Sequence, residues 1–192
     1  MAAAIVVTRL GFVLFDTPIG ACGIAWGDRG VVGVRLPEGS EAAGRARLER
    51  EFPDARESPP PPPVRRALES IVALLSGEAR DLSFVELDMR QVPPFHRRVY
   101  EVARTIPPSA TLTYGEIARH LGEPGAARDV GSALAQNPFA IVVPCHRVLA
   151  ANGKLGGFSA HGGIRTKLRL LSIEGVQAPG TVPLFERGPL AR

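Results

Sequence analysis

The sequence IVVPCHRV, residues 141–148, is the most informative part of this 192-residue chain. It places a soft nucleophile, Cys145, beside a titratable base, His146, after a β-branched run that predicts a buried strand. Reactive groups are held most rigidly on such regular elements. In a regular strand, however, Cys145 and His146 would point to opposite faces, so a bend at Pro144 or a bridging water is required. A lone Cys or His is more often a packed residue than a catalyst, so the pair alone leaves both interpretations open.

The residues before this stretch predict two short helices. Thr113 to Glu116 has the S/T-x-x-E form of a capping box, and the helix that it begins should end at the glycine- and proline-containing turn 122–125. A second helix is expected from Ala126 to Gln136, with Asn137 and Pro138 ending it. Two short helices joined by a tight turn are typical of a helix-turn-helix. The second helix is rich in small residues, so it can lie close to a nucleic-acid backbone.

Together these features resemble the O6-methylguanine-DNA methyltransferases, repair proteins that accept an alkyl group onto their own cysteine. The resemblance covers roughly residues 93–178. It rests on Tyr114 and on the motifs ARDVG (127–131), NP (137–138), PCHRV (144–148), GFS (157–159) and LLSIEG (170–175). It implies a suicide methylated-DNA–protein-cysteine S-methyltransferase that repairs O6-alkylguanine in duplex DNA without a cofactor, and it leaves activity on O4-methylthymine open. It also implies a cytoplasmic monomer.

The resemblance assigns roles to individual residues. Cys145 would accept the alkyl group, His146 would draw the thiol proton through a water, and Glu174 would orient His146. Asn137 would brace the turn that carries the active-site strand. Tyr114 would help to rotate the nucleotide out of the helix and to protonate the departing guanine. Plainer alternatives remain: Asn137 as a helix C-cap, Tyr114 as a core aromatic and Glu174 as a surface acid.

The implied partner is double-stranded DNA, bound through its minor groove with the alkylated guanine rotated out of the stack. Arg128 would insert where the base had been. The expected DNA contacts are Arg128, Ala127, Tyr114 and Ser132, and the expected base-pocket residues are Val148, Phe158 and Ser159. Two features depart from many relatives: position 158 is Phe instead of Tyr, and the segment 159–163 is longer than Ser-Gly-Gly.

The first 92 residues predict a small α+β domain, for which the resemblance implies an RNase H-like fold. Strands are expected near residues 11–15, 20–26, 31–36 and 82–87, and helices near 40–52 and 64–75. The run Pro59–Pro63 predicts a stiff polyproline II spacer. A boundary at residues 91–94 separates this domain (1–92) from a mainly helical alkyltransferase and DNA-binding domain (93–180), and a tail follows (181–192).

Composition excludes several classes of protein. Cys22 and Cys145 are the only cysteines, too few for a disulfide framework, and all four histidines follow residue 92, so we expect no zinc site. No apolar run is long enough to span a membrane. Residues 93–180 carry ten Arg or Lys and five acidic residues, an excess that suits a polyanion partner but is common in ordinary domains.

Two functions of other classes remain as alternatives. A damage sensor that binds alkylated DNA without catalysis would be related in sequence, but such proteins replace the active-site cysteine. A cysteine hydrolase would need a glycine-rich donor loop for an oxyanion, and no such loop precedes Cys145.

Overall fold

A four-stranded sheet forms the N-terminal part of the molecule, whose computed structural model describes residues 10–176. Strands β1 (Gly11–Phe15), β2 (Cys22–Gly27) and β3 (Gly30–Arg35) are antiparallel neighbours, which confirms three predicted strands. A short β4 (Arg56–Glu57) pairs in parallel with β1, so the order is β3-β2-β1-β4. The β2–β3 hairpin turns at residues 28–29, and Gly30 then adopts a φ of 117°, which only glycine reaches easily.

Two helices cover opposite faces of this sheet. Helix α1 (Glu41–Glu51) packs Leu48 against Phe12 and Ala25, whereas α2 (Pro62–Leu75) packs into the larger cluster on the other face. Successive strand residues alternate between the two clusters because side chains in a strand alternate between faces. Pro62 and Pro63 belong to the first turn of α2, where proline is tolerated. The predicted polyproline II spacer is therefore wrong at its C-terminal end.

Four further helices build the C-terminal part: α3 (Pro94–Arg104), α4 (Tyr114–His120), α5 (Ala127–Ala135) and α6 (Ile164–Ile173). The predicted capping box is present, because Thr113 Oγ1 accepts from the Glu116 N–H at 3.2 Å and the Glu116 carboxylate accepts from the Thr113 N–H at 2.6 Å. A parallel two-residue ladder joins β5 (Leu112–Thr113) to β6 (Val148–Leu149). This ladder fixes the start of α4 beside the residues that follow Cys145.

The predicted strand at residues 82–87 is absent. Its only ladder contact is an isolated bridge between Leu87 and Val31. The guanidinium of Arg104 donates to the carbonyl oxygens of Leu82, Ser83 and Val85, at 3.3, 2.8 and 2.9 Å. A side chain thus occupies the acceptors that a strand partner would need, and the segment stays irregular.

The β-branched run Ile141–Val143 is not a strand either. Ile141 has a φ of 71°, and the Val142 N–H donates to the Ala140 carbonyl at 2.9 Å, which together define a γ-turn of the rarer, strained form. A second γ-turn of the common form follows at Pro144, where the Cys145 N–H donates to the Val143 carbonyl at 2.8 Å. Consecutive turns therefore deliver Cys145 to its position, so the alternating faces of a strand do not apply.

One hydrophobic cluster spans the predicted domain boundary. It contains Ile71 and Trp26 from the N-terminal part as well as Tyr100 and Phe139 from the C-terminal part. Backbone hydrogen bonds also cross the boundary, because Val34 donates to the Pro138 carbonyl at 2.8 Å and accepts from the Ala140 N–H at 3.2 Å. The mixed α and β architecture is as expected, while the division at residues 91–94 stays a prediction. Residues 181–192, the predicted tail, lie outside the described part.

No helix within residues 10–176 is long and apolar enough to cross a membrane.

The shared core leads to a prediction about unfolding. Ile71→Ala should lower the free energy of unfolding by about 2–5 kcal/mol, because Ile71 is completely buried and its truncation leaves a cavity. Urea unfolding followed by fluorescence of Trp26, the only tryptophan, and by helical circular dichroism should give one coincident transition. Ile164→Ala is the matched control, since Ile164 is 47% exposed and its loss should cost less than about 1 kcal/mol. Two separate transitions would show that the two parts fold independently.

Candidate active site

Cys145 lies at the base of a cleft of about 870 Å³. It begins a short 3₁₀ turn (Cys145–Arg147) and is half-buried, so its sulfur can be reached from the cleft. Residues from α4, α5 and the loop that precedes α6 line the cleft together with Cys145: Thr113, Tyr114, Gly115, Arg119, Ala127, Arg128, Gly131, Leu134, Ala135, Ala150, Ala151, Gly157, Phe158 and Ser159.

A buried hydrogen bond joins the residue after the cysteine, His146, to Glu174. His146 Nε2 lies 2.9 Å from Glu174 Oε1, and the two side chains are only 1% and 4% exposed. The other ring nitrogen of His146, Nδ1, is buried and has no hydrogen-bond partner within residues 10–176. Burial lowers the pKa of His146, which the Glu174 carboxylate only partly offsets. The imidazole is therefore neutral at neutral pH.

Arg147 shares the same carboxylate. Its Nε donates to Glu174 Oε2 at 2.7 Å and its Nη2 to Oε1 at 2.8 Å, while Nη1 donates to the Ile106 carbonyl at 2.6 Å. Burial by itself raises the pKa of Glu174, but the hydrogen bonds from His146 and Arg147 outweigh it and lower this pKa to about 2. Glu174 is thus a buried carboxylate at the end of α6, and the alternative of a surface acid does not hold.

Asn137 closes the loop that leads to Cys145. Its Oδ1 accepts from the Phe139 N–H at 2.9 Å, and its Nδ2 donates to the Val143 carbonyl, also at 2.9 Å. These bonds tie the end of α5 to the residues just before the cysteine. The alternative that Asn137 is only a helix C-cap does not hold, because the C-cap residue of α5 is Gln136.

A buried lysine contacts the strand that follows the active-site turn. Lys167 of α6 is 0% exposed, and its Nζ donates to the carbonyl oxygens of Val148 and Leu155, each at 2.6 Å. Burial raises the pKa of the Cys145 thiol, and a hydrogen bond from Asn137 and the charge of Lys167 act in the opposite direction. Val148 is buried and is not among the residues that line the cleft, and its carbonyl already accepts a hydrogen bond from Lys167.

Tyr114 forms one wall of the cleft at the first position of α4. Its ring packs on the backbone of Gly156, where a Cβ would lie only 3.1 Å from the phenol oxygen and where φ is 67°. Glycine is therefore required at this position both for space and for conformation. Phe158 supplies an apolar wall, and Ser159 is anchored through its Oγ, which donates to the Ala135 carbonyl at 3.0 Å.

The residues expected to contact DNA lie on the rim of the same cleft, with one exception. Ala127 and the exposed Arg128 line the rim at the start of α5. Ser132 is exposed on the same helix but does not line the cleft, and its Oγ accepts from Gln136 Nε2 at 3.3 Å. The fold thus brings the predicted tyrosine, arginine and cysteine to one cleft, although they are spread over 32 positions of sequence, while the predicted histidine is buried next to the cysteine in the same 3₁₀ turn.

Two residues near the thiol were not assigned a role from the sequence. Arg147 belongs to the PCHR motif, and this position next to Cys145 and His146 could have indicated a role in the site. Lys167 stands three and four residues before the buried Leu170 and Leu171, and this spacing places it on the buried face of α6. Among the described residues, no group of three or more His, Cys, Asp or Glu is placed to hold a metal ion.

Comparison with known proteins agrees with this geometry. Residues 94–176 match the family model of the 6-O-methylguanine DNA methyltransferase DNA-binding domain. A methylated-DNA–protein-cysteine methyltransferase from Mycobacterium tuberculosis is 39% identical over 173 residues, which cover 89% of this chain and 96% of that protein. One from Methanothermobacter thermautotrophicus is 37% identical over 163 residues, covering 85% and 84%.

Solved structures of the same family are also similar to this chain. The crystal structure of M. tuberculosis OGT in complex with DNA has a TM-score of 0.70 at 37% identity and covers 85% of this chain and 92% of that one. The O6-methylguanine-DNA methyltransferase of Pyrococcus kodakaraensis has a TM-score of 0.65 at 27% identity and covers 88% and 100%. With relatives this similar over most of both chains, the protein belongs to the methylated-DNA–protein-cysteine methyltransferase family.

Proposed function

We propose that this protein repairs O6-alkylguanine in duplex DNA by moving the alkyl group onto Cys145. The observation that carries the proposal is a free thiol that lines the cleft and is followed, in the same 3₁₀ turn, by a buried His146 hydrogen-bonded to Glu174. The names of the relatives, methylated-DNA–protein-cysteine methyltransferases, support it. In the reaction the Cys145 sulfur attacks the alkyl carbon, a C–S bond forms, and the bond from carbon to O6 breaks.

The tautomer of His146 follows from its partner. Glu174 is a carboxylate at neutral pH, since its pKa is about 2, so it accepts a hydrogen bond from Nε2–H. The lone pair of the neutral imidazole is then on Nδ1, the nitrogen for which no described residue provides a hydrogen-bond partner. We propose that Nδ1 takes the proton of Cys145 through a water. Glu174 and Arg147 position this base, and Asn137 positions the turn that carries the thiol.

Tyr114 is the proposed proton donor to the departing guanine. Burial raises the pKa of Tyr114, and the nearby Cys145 sulfur acts in the same direction, so the phenol keeps its proton at neutral pH. A developing negative charge on O6 can then receive a hydrogen bond from the phenol. Ser159 and Val148 are proposed to contact the base through their backbones, and Phe158 to pack against it.

The DNA-binding surface is proposed to be a helix-turn-helix made of α4 and α5, with α5 in the minor groove. Arg128 would replace the extruded base, while Ala127 and Ser132 would contact the backbone. An alkyl group on O6 lies in the pairing face, where a thiol cannot align behind the carbon inside a duplex, so the nucleotide must leave the stack. We also propose that the protein is a monomer and that it acts in the cytoplasm, where reducing conditions keep a free thiol reduced. An RNase H-like relationship of the N-terminal part stays a prediction.

The stoichiometry of the reaction tests the proposal as a whole. The product is a thioether without an acidic proton and is a poor leaving group, so each molecule should act once. Incubation with an O6-methylguanine duplex should give a burst equal to the amount of active protein. Intact mass should rise by one methyl group, located on Cys145 by peptide mapping. Steady turnover would contradict the proposal, and tight binding without any mass change would indicate a damage sensor.

Removing the sulfur should separate binding from chemistry. Cys145→Ala should abolish transfer but change the affinity for an alkylated duplex by no more than a few-fold, because the proposed DNA contacts lie on α4 and α5. Binding is measured by fluorescence anisotropy at fixed salt, since phosphate contacts make affinity salt-dependent. The matched control is Cys22→Ala, which removes the other thiol at a position that does not line the cleft and should leave transfer intact. Repair by Cys145→Ala would refute the assignment of the nucleophile.

Arg128 should matter for duplex DNA only. Arg128→Ala should slow repair of a duplex much more than reaction with free O6-benzylguanine, because only the duplex requires base extrusion. Single-turnover rates on the two substrates give the ratio directly. Arg65→Ala, at an exposed position of α2, is the control and should affect neither rate. If Arg128→Ala slows both substrates equally, Arg128 does not act in extrusion.

A further inference from the structure

Lys167 is a buried cation without a carboxylate partner. Its side chain is completely inaccessible, and no acidic oxygen within residues 10–176 lies within 4.0 Å of its ammonium group. The carboxylate of the active site, Glu174, forms its ion pair with Arg147 and a hydrogen bond with the neutral His146 instead. Burying an ammonium is costly unless it is well compensated. Stability alone therefore gives no reason to keep a lysine at this position.

The contacts of Lys167 join the two sides of the cleft. The Val148 carbonyl belongs to β6, three residues after Cys145, and the Leu155 carbonyl immediately precedes Gly156, on which Tyr114 packs. The Lys167 Nζ also lies 6.0 Å from the centroid of the Tyr114 ring. One ammonium group is thus hydrogen-bonded both to the strand that follows the active-site turn and to the loop that carries Phe158. It also lies near the ring of Tyr114.

The charge of Lys167 acts on the thiol. A cation close to a cysteine favours the thiolate, and the effect is reciprocal because the thiolate also favours the charged lysine. The titratable groups around the ammonium are Cys145, His146 and Tyr114, and Arg147 and Glu174 lie behind His146. Among these groups, Cys145 is the one whose ionised form the charge stabilises for reaction. The pKa of His146 is lowered mainly by burial, and the charges of Arg147 and Lys167 act in the same direction.

We propose that Lys167 is a positioning residue for alkyl transfer, which orders the cleft through the Val148 and Leu155 carbonyls and supplies the positive charge that favours the Cys145 thiolate. The proposal rests on the proposed function for its reaction, but its electrostatic part concerns the thiol alone. Burial lowers the pKa of Lys167 to about 8, and the Cys145 sulfur acts in the opposite direction. The group is therefore mostly charged at neutral pH, where the thiol needs it.

The experiment compares four variants by the pH dependence of Cys145 reactivity. Lys167→Met removes the charge and the donors, Lys167→Gln removes the charge but keeps two donors, and Lys167→Arg keeps the charge. Lys154→Met is the matched control, because Lys154 is exposed and is the only other lysine of the chain. Iodoacetamide labelling of Cys145 is measured from pH 5.5 to 10, with Cys22 separated by peptide mass. Single-turnover transfer from free O6-benzylguanine is measured in parallel.

Without the charge at position 167, labelling of Cys145 at pH 7, where Lys167 is mostly charged, should slow by about tenfold. Above pH 8, where Lys167 of the wild-type protein loses its own proton, the difference between wild type and the uncharged variants should shrink. Lys167→Arg should label at least as fast as wild type at pH 7, and Lys154→Met should match wild type in both assays. Should Lys167→Met not fold, Lys167→Gln gives the same test. An unchanged labelling rate at pH 7 in the uncharged variants would overturn the proposal, even if their transfer rates fell. Labelling needs no DNA or alkyl donor, so failure of the proposed function would not be mistaken for failure of this inference.

Discussion

The buried carboxylate of Glu174 is the interaction on which the site depends. It satisfies the guanidinium of Arg147 with two hydrogen bonds and the imidazole of His146 with a third, and none of the three side chains is more than 6% exposed. Removing one partner of such a group leaves an uncompensated charge, which typically costs about 3–5 kcal/mol. The end of α6, the 3₁₀ turn of residues 145–147 and the segment at Ile106 are thereby held together. The orientation and tautomer of the proposed base are set by a contact that also fixes the fold.

A second constraint is the path of the backbone into Cys145. A β-branched residue in the left-handed region costs about 1–3 kcal/mol and persists only where its surroundings determine it. Here Ile141 is buried, β3 holds the segment through Val34, and Asn137 bonds to both ends of the loop. The N-terminal sheet thus contributes to the site by holding the strained turn that presents Cys145.

The electrostatics of the cleft combine opposing effects. Burial disfavours ionisation of the Cys145 thiol. Because the thiolate is the reactive form, this protects the cysteine from oxidation or alkylation by other reagents. Asn137 and Lys167 act against that suppression from two sides. The proposed base stays neutral because burial and two nearby cations outweigh its carboxylate partner.

The sequence alone determined the local elements and the chemistry on offer. Three features depend only on neighbouring residues: the hydrophobic alternation of β1 to β3, the capping box at Thr113 and the PCHR motif. Their sequence patterns were therefore sufficient to predict them. Local patterns failed where distant groups intervene: Arg104 takes the carbonyls of residues 82–85, and the contacts of Val34 and Asn137 turn residues 140–145 away from a strand. The sharing of Glu174 by His146 and Arg147 and the burial of Lys167 beside the thiol were decided by tertiary structure alone. Both require residues about 20 to 30 positions apart to meet in a space from which water is excluded, and no local preference specifies such a meeting.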